Sequence, residues 1–437
     1  MVLRRMAAVG VVAGLAAGYV AGWGVSNVGL ASTRLGPALP AVGCSWTPPD
    51  QPTNGVNWGW TDTNDTGYTA SYTVVPGGRL VIHGNYAQAR FFVMDVYDAK
   101  GNAYVPDFLD AHLAPDPGSE NPFTTPGVVD PAAQSYTAYV SFTPRPATPA
   151  PNTVYAATTA DGTAPNPGGL IAYRVYLPDT PGAYSGGVPL PALSYELPGG
   201  AVVPLASCGG DVHDPAQPVI TQAMTNAGWP AQVPAVVPFP PAKDPADWQA
   251  ASNPGLDATV AGNSPIGDPL PPSGIGLLTA PANSYLSTRI SRQFGQVFVF
   301  RAAPPTSPDT RAGQWVGTPS QVRYWSVCIN STLVATQTVA CLADHEISLD
   351  PDGTFTVTVS SGPDRPAGAG NWLPIGDVYE GWIYIRQFLA SPGFGQSISS
   401  VGPGQDPATV MGPYFPRSAY CSTALYDARG ADGCLSG

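Results

Sequence analysis

Two histidines stand where acid–base or metal chemistry would need them. His112 and His345 each lie 22 residues beyond an arginine, Arg90 and Arg323, and each has carboxylates for neighbours. Asp110 and Asp116 accompany the first; Asp344, Glu346 and Asp350 accompany the second. Histidine titrates near neutrality and serves as acid, base or metal ligand. His112 with Asp110 and His345 with Asp344 are therefore the candidate catalytic pairs. Meeting across an axis, two imidazoles and two carboxylates would suit a divalent metal or an acid–base pair. The plainer reading is that each histidine bonds a local aspartate and fixes a turn.

Four arginines, Arg90, Arg174, Arg323 and Arg386, are candidate ligand clamps, because the guanidinium fork matches a carboxylate or an acidic sugar. As structural groups they would each pair with an acid of their own half, near Asp110 or Asp344, since arginine is rarely buried unpaired. Asp62-Thr-Asn64-Asp65-Thr66-Gly67 and Asp350-Pro-Asp352-Gly353 are weak calcium candidates through Asp62, Asn64, Asp350 and Asp352. An EF-hand would need Glu at its twelfth loop position, where Thr73 stands, and Asp-Pro-Asp-Gly reads more simply as a turn. Trp46, Trp58 and Trp60 would make a sugar-stacking platform or pack beneath Cys44. His345-Glu lacks the second histidine of a zincin, and no Gly-x-Ser-x-Gly, Walker loop or post-strand Gly-x-Gly-x-x-Gly occurs. No cofactor is expected.

The elements that position these residues are strands. The 437 residues include 50 Gly and 51 Pro, yet also 20 Tyr, 13 Phe and 10 Trp, which disordered chains lack. Alternating segments such as Arg79-Leu-Val-Ile-His83 and Thr354-Phe-Thr-Val-Thr-Val359 are separated by Pro/Gly/Asp clusters. This predicts an all-β fold. The halves also resemble one another. Tyr68…Gly78 matches Tyr285…Gly295 at an offset of 217, and Gln88-Ala-Arg90 matches Gln321-Val-Arg323 at 233. His112 falls on His345 at that same offset, and Gly169…Arg174 matches Gly381…Arg386 at 212. Order is kept throughout, with a 16-residue insertion near Ala302–Gly317 of the second half.

Charge and cysteines bound the setting. The net charge is −12, and Lys100 and Lys243 are the only lysines, so phosphate-driven nucleic-acid binding is not expected. Arg4 and Arg5 precede an uncharged run from Met6 to Val25, the pattern of an export signal over 1–31. That run is also long enough to serve as a membrane anchor. Six cysteines in an exported chain read as disulfides. Locality suggests Cys328–Cys341 and Cys421–Cys434, leaving Cys44–Cys208; with no C-x-x-C, structural zinc is not expected.

Tyr324-Trp-Ser-Val327, Asp352-Gly-Thr-Phe-Thr356, Asn371-Trp-Leu-Pro374 and Ile385-Arg-Gln-Phe388 carry a family resemblance. Over residues 323–389 the chain resembles a bacterial exported domain family of unknown function, with an Asn-Trp-Leu-Pro … Leu-Arg-Leu-Tyr signature. The first half looks like a diverged copy, with Asn152-Thr-Val-Tyr155 in place of Asn-Trp-Leu-Pro. The resemblance implies a jelly-roll-like β-sandwich in exported or envelope proteins and no activity. The Ala/Gly/Pro-rich, lysine-poor composition resembles that of an actinobacterial secreted protein. The expectation is thus two tandem jelly-roll-like antiparallel β-sandwich modules (44–208 and 281–392), related by an internal repeat. A Pro/Ala-rich connector (209–280) would join them, and a C-terminal tail with a disulfide loop (393–437) would follow. The expected role is non-catalytic binding of an extracellular ligand or envelope component. The alternatives are a hydrolase or lyase acting on a glycan or ester, and a calcium-stabilised adhesion protein.

Overall fold

Period-two patterning places one face of most strands in a core. Arg79–Asn85 alternates in burial along its first six residues, while Ala89–Asp98 is buried at every position. A strand covered on both faces needs a second layer on each side, and the architecture supplies both. The computed structural model describes residues 44–46, 62–105, 107–128, 130, 133–208, 241–252, 280–331, 338–376 and 378–436. Residues 1–31, Trp58, Trp60 and most of 209–280 lie outside them.

In the first half the strands are β1 (Asp65–Thr73), β2 (Arg79–Asn85), β3 (Ala89–Asp98), β4 (Phe108–Leu109), β5 (Ser135–Ser141), β6 (Thr153–Tyr155), β7 (Gly168–Pro178), β8 (Ala192–Glu196) and β9 (Val202–Pro204). They form two sheets, β1-β7-β3-β4 and β6-β5-β2-β8-β9. Tyr68, Phe92 and Tyr173 of one sheet meet Leu80, Ile82, Tyr136 and Tyr195 of the other in one core. The second half has β10 (Gln249–Ser252), β11 (Asn283–Ser291), β12 (Val297–Ala302), β13 (Tyr324–Ser331), β14 (Thr338–Ala343), β15 (Phe355–Ser360), β16 (Asn371–Pro374), β17 (Glu380–Phe388) and β18 (Arg417–Cys421). Its sheets are β10-β11-β17-β13-β14 and β16-β15-β12-β18. Leu286, Trp325 and Ile383 pack there against Phe298, Phe300 and Val357. The protein is all-β, built of mainly antiparallel sheets in which β5/β6 and β15/β16 pair in parallel.

The strand orders of the halves correspond: β1-β7-β3-β4 to β11-β17-β13-β14, and β6-β5-β2-β8 to β16-β15-β12-β18. Matching residues do matching work. Asn152 Nδ2 donates to Ala114 O and Thr137 O at 2.8 and 2.9 Å, and Asn371 Nδ2 donates to Ser348 O and Thr356 O at 2.8 and 2.9 Å. The asparagine of the Asn-Trp-Leu-Pro segment thus ties a neighbouring loop to the sheet. Gly169, second in β7, stands where a Cβ would lie 1.9 Å from Tyr97 O, so only glycine fits.

Two expected boundaries change. Residues 249–252, read as connector, form β10 and pair with β11. Residues 417–421, read as tail, form β18 and pair with β12. Without β18 that edge of β12 would expose unpaired backbone groups. Helix α1 (Pro407–Met411) is capped by Asp406, and α2 (Thr423–Leu435) by Ser422. The Cys421–Cys434 bridge pins α2 to β18, and Cys44–Cys208 and Cys328–Cys341 are bonded as locality suggested. Three disulfides fit an oxidising, extracellular-type compartment. No described helix is long and apolar enough to cross a membrane.

Candidate functional site at the junction of the halves

The face of β3 that points away from its own core carries Phe91 and Val93. They cluster with Tyr176 and Leu177 of the first half and with Tyr324, Ala343 and Phe388 of the second. Ring centroids lie 5.3 Å apart for Phe91–Phe388 and 4.6 Å for Tyr176–Phe388. Such pairs add about 0.5–1.5 kcal/mol each beyond their buried area. Leu177 within the cluster and Leu389 against it have φ 50° and 48°, an uncommon region for a side-chain-bearing residue. Their N–H groups donate to Asn64 O at 2.9 Å and Ala282 O at 3.0 Å.

Around this apolar centre the arginines cross. Arg90 Nη1 donates to Asp344 Oδ2 at 2.8 Å, and Arg323 Nη1 lies 3.3 Å from Asp110 Oδ2. Each arginine therefore pairs with the acid of the other half, which corrects the expectation of pairing within a half. The reason is position: Arg90 and Arg323 stand at the starts of β3 and β13, the strands whose outer faces meet. Arg174 does pair within its half, with Asp95, and donates to Tyr97 Oη at 2.7 Å. Arg386 Nη1 lies 3.9 Å from Asp62 Oδ2 and donates to Cys328 Sγ at 2.6 Å.

These pairs redefine the histidine candidates. Asp110 accepts from Phe92 N and Ala111 N as well as from Arg323. Burial raises its carboxyl above the usual range, against the lowering charge of Arg323, those N–H groups and His112. Asp344 accepts from Arg90 and from His345 N. The aspartates thus work as joints between the halves rather than as orienters of the imidazoles. His112 is exposed. His345 is partly buried, with Nδ1 3.7 Å from Asp344 Oδ1 and no hydrogen bond. His83 is exposed, 3.2 Å from Thr137 Oγ1 and 3.5 Å from Asp116 Oδ2.

The calcium candidates are occupied by protein donors. Asp62 is buried and accepts from Tyr324 Oη, Ser326 Oγ and Asn64 N, which places it in the junction rather than in an open loop. Asp350 Oδ2 accepts from Thr354 and Thr356 hydroxyls, and Asp352 Oδ1 from Thr354 N and Oγ1. Both belong to the turn that precedes β15. Trp46 is buried in the first core, with Nε1 donating to Pro191 O at 2.6 Å.

What sequence reading missed is the segment that closes the junction. The insertion near 302–317 docks on the first half. Arg311 Nε donates to Pro178 O at 3.0 Å, Trp315 Nε1 to Pro122 O at 2.8 Å, and Thr310 Oγ1 accepts from Arg90 Nε at 3.1 Å. The Trp315 ring folds over Gly317, where a Cβ would lie 2.3 Å from it. Between insertion and first half runs a cleft of about 210 Å³. Gln88, Phe123, Thr125 and Asp179 line one wall, and Thr310, Gln314 and Trp315 the other. Behind it Arg90 is fully buried, and its Nη2 has no hydrogen bond, standing 3.8 Å from Asp309 Oδ1. Desolvation by the surrounding chain raises the Asp179 carboxyl, opposed by the Thr310 hydroxyl and the charges of Arg90 and Arg311. The change in offset between the matching segments of the halves was the one signal of this segment; nothing in its residues announced that it docks on the first half.

No family model and no curated protein matches the chain. Among solved structures, an uncharacterised protein from Burkholderia cenocepacia is 16% identical and has a TM-score of 0.42, covering 76% of this chain and 75% of that one. The VPA0106 protein from Vibrio parahaemolyticus is 10% identical with a TM-score of 0.38, covering 82% and 89%.

Proposed function

We propose that the protein is an exported binding protein that holds a neutral, hydroxyl-rich ligand, of the oligosaccharide class, in the cleft at the junction. The two halves, in this reading, are diverged copies of one module. The observation that carries the proposal is the lining of the cleft: the Trp315 and Phe123 rings beside the amides of Gln88 and Gln314, the hydroxyls of Thr125 and Thr310, and one carboxylate. Ligand sites combine apolar surface with a few placed polar groups, and sugars offer both a C–H face for a ring and hydroxyls for amides. Asp179 is offset by Arg90 and Arg311, so the wall has no strong net charge to select an ion.

The test is titration calorimetry of the intact chain with a panel of neutral glucan, mannan, arabinan and galactan oligosaccharides. At least one is expected to bind, and Trp315→Ala should weaken it about tenfold, the size of one lost ring contact. Absence of binding across the panel, or equal affinity in Trp315→Ala, contradicts the proposal.

A further inference from the structure

We propose that Cys328–Cys341 is an exchange-competent disulfide that takes electrons from low-molecular-weight thiols, with Cys341 the attacked sulfur and Cys328 the leaving thiolate. The bridge joins directly opposed residues of neighbouring strands, Cys328 on β13 and Cys341 on β14. Its two sulfurs have different surroundings. Cys341 is partly exposed, whereas Cys328 is fully buried. Arg386 Nη1 donates to Cys328 Sγ at 2.6 Å, and Thr63 N donates to Cys341 Sγ at 3.4 Å.

The first half shows what such an arginine holds. Arg174, at the position corresponding to Arg386, pairs with the carboxylate of Asp95. Asp95 corresponds to Cys328 by the offset that relates Arg90 to Arg323. In the second half the guanidinium therefore faces sulfur where its counterpart faces an anion. A thiolate released at Cys328 would take the place that a carboxylate takes beside Arg174. A neighbouring arginine lowers a thiol pKa, and a lower-pKa thiol leaves faster. Asp62 also faces the pair and opposes this, but Tyr324, Ser326 and Asn64 donate to its carboxylate and draw its charge.

The step balances as follows. An external thiolate attacks Cys341 Sγ, forming a mixed disulfide there. The Cys341–Cys328 bond breaks, and its electron pair leaves on Cys328 Sγ. A second external thiolate attacks the external sulfur of the mixed disulfide and frees Cys341. Two small thiols are oxidised to one disulfide, and the protein bridge is reduced to two thiols.

Cys421–Cys434 is the internal control, because both bridges have a sequence separation of 13 and so close loops of equal entropy. The intact chain would be equilibrated anaerobically in graded reduced and oxidised glutathione, acid-quenched, alkylated and mapped by peptide mass spectrometry. Cys328–Cys341 should be half-reduced at a glutathione ratio, [GSH]²/[GSSG], at least tenfold lower, about 30 mV for this two-electron couple. The glutathione adduct should fall on Cys341. Arg386→Lys, where it folds, should bring the two bridges closer together; the wild-type comparison decides without it. Equal reduction of the two bridges, or an adduct on Cys328, overturns the proposal.

Discussion

Arg90→Met should destabilise the protein by about 3–5 kcal/mol, the usual cost of removing one partner of a buried ion pair. Arg90 is 0% exposed and the Asp344 side chain 4%. The substitution would leave a carboxylate with little solvent at the junction of the halves. Adding Asp344→Leu should recover more than half of the loss, because an apolar pair of similar volume replaces a buried ion pair nearly neutrally. Arg323→Met should cost less. Arg323 is 13% exposed and lies 3.3 Å from Asp110, which keeps two backbone N–H donors. Urea unfolding of the wild type and the three variants measures this. Equal, small losses for Arg90→Met and Arg323→Met would mean that the crossed pairs do not hold the halves.

Those pairs also show where sequence reading stops. The strands were legible because alternation and turn residues are local, and spacing related Arg90 to Arg323 and His112 to His345. Which acid each arginine meets is not local. It depends on the outer faces of β3 and β13 packing together, which Phe91 and Tyr324 drive. The same limit hid β18, a short strand far along the chain from β12, and the docking of Trp315 on Pro122. Disulfide pairing was legible because two bridges span short loops, so the third followed by elimination.

The second large effect concerns pH. The Asp107 carboxyl is pushed up to about 8, first by burial and then by the neighbouring Asp95 carboxylate. Asp95 Oδ1 and Asp107 Oδ2 each lack a donor, the pattern of a pair that shares one proton. Arg174 then faces a single negative charge. In the unfolded chain an aspartate titrates near 3.9. Between about pH 4 and 8 the folded state keeps a proton that the unfolded state has lost. Stability from this group is therefore fully present below about pH 4 and falls as pH rises, by up to about 1.4 kcal/mol per unit. Asp107→Asn keeps the shape and has no proton to lose. From pH 5 to pH 8 the wild type should lose about 2 kcal/mol or more beyond what Asp107→Asn loses. Parallel urea midpoints for the two proteins would rule out the shared proton.

The binding role rests on two walls from different halves closing on one ligand. Hydrogen exchange of the intact chain, with and without the tightest oligosaccharide of the panel, reads both walls at once. Slower exchange is expected together in 87–89 and 122–128 of the first half and in 310–316 of the second. Protection in one wall alone, or only at segments away from the cleft, would contradict a site built at the junction.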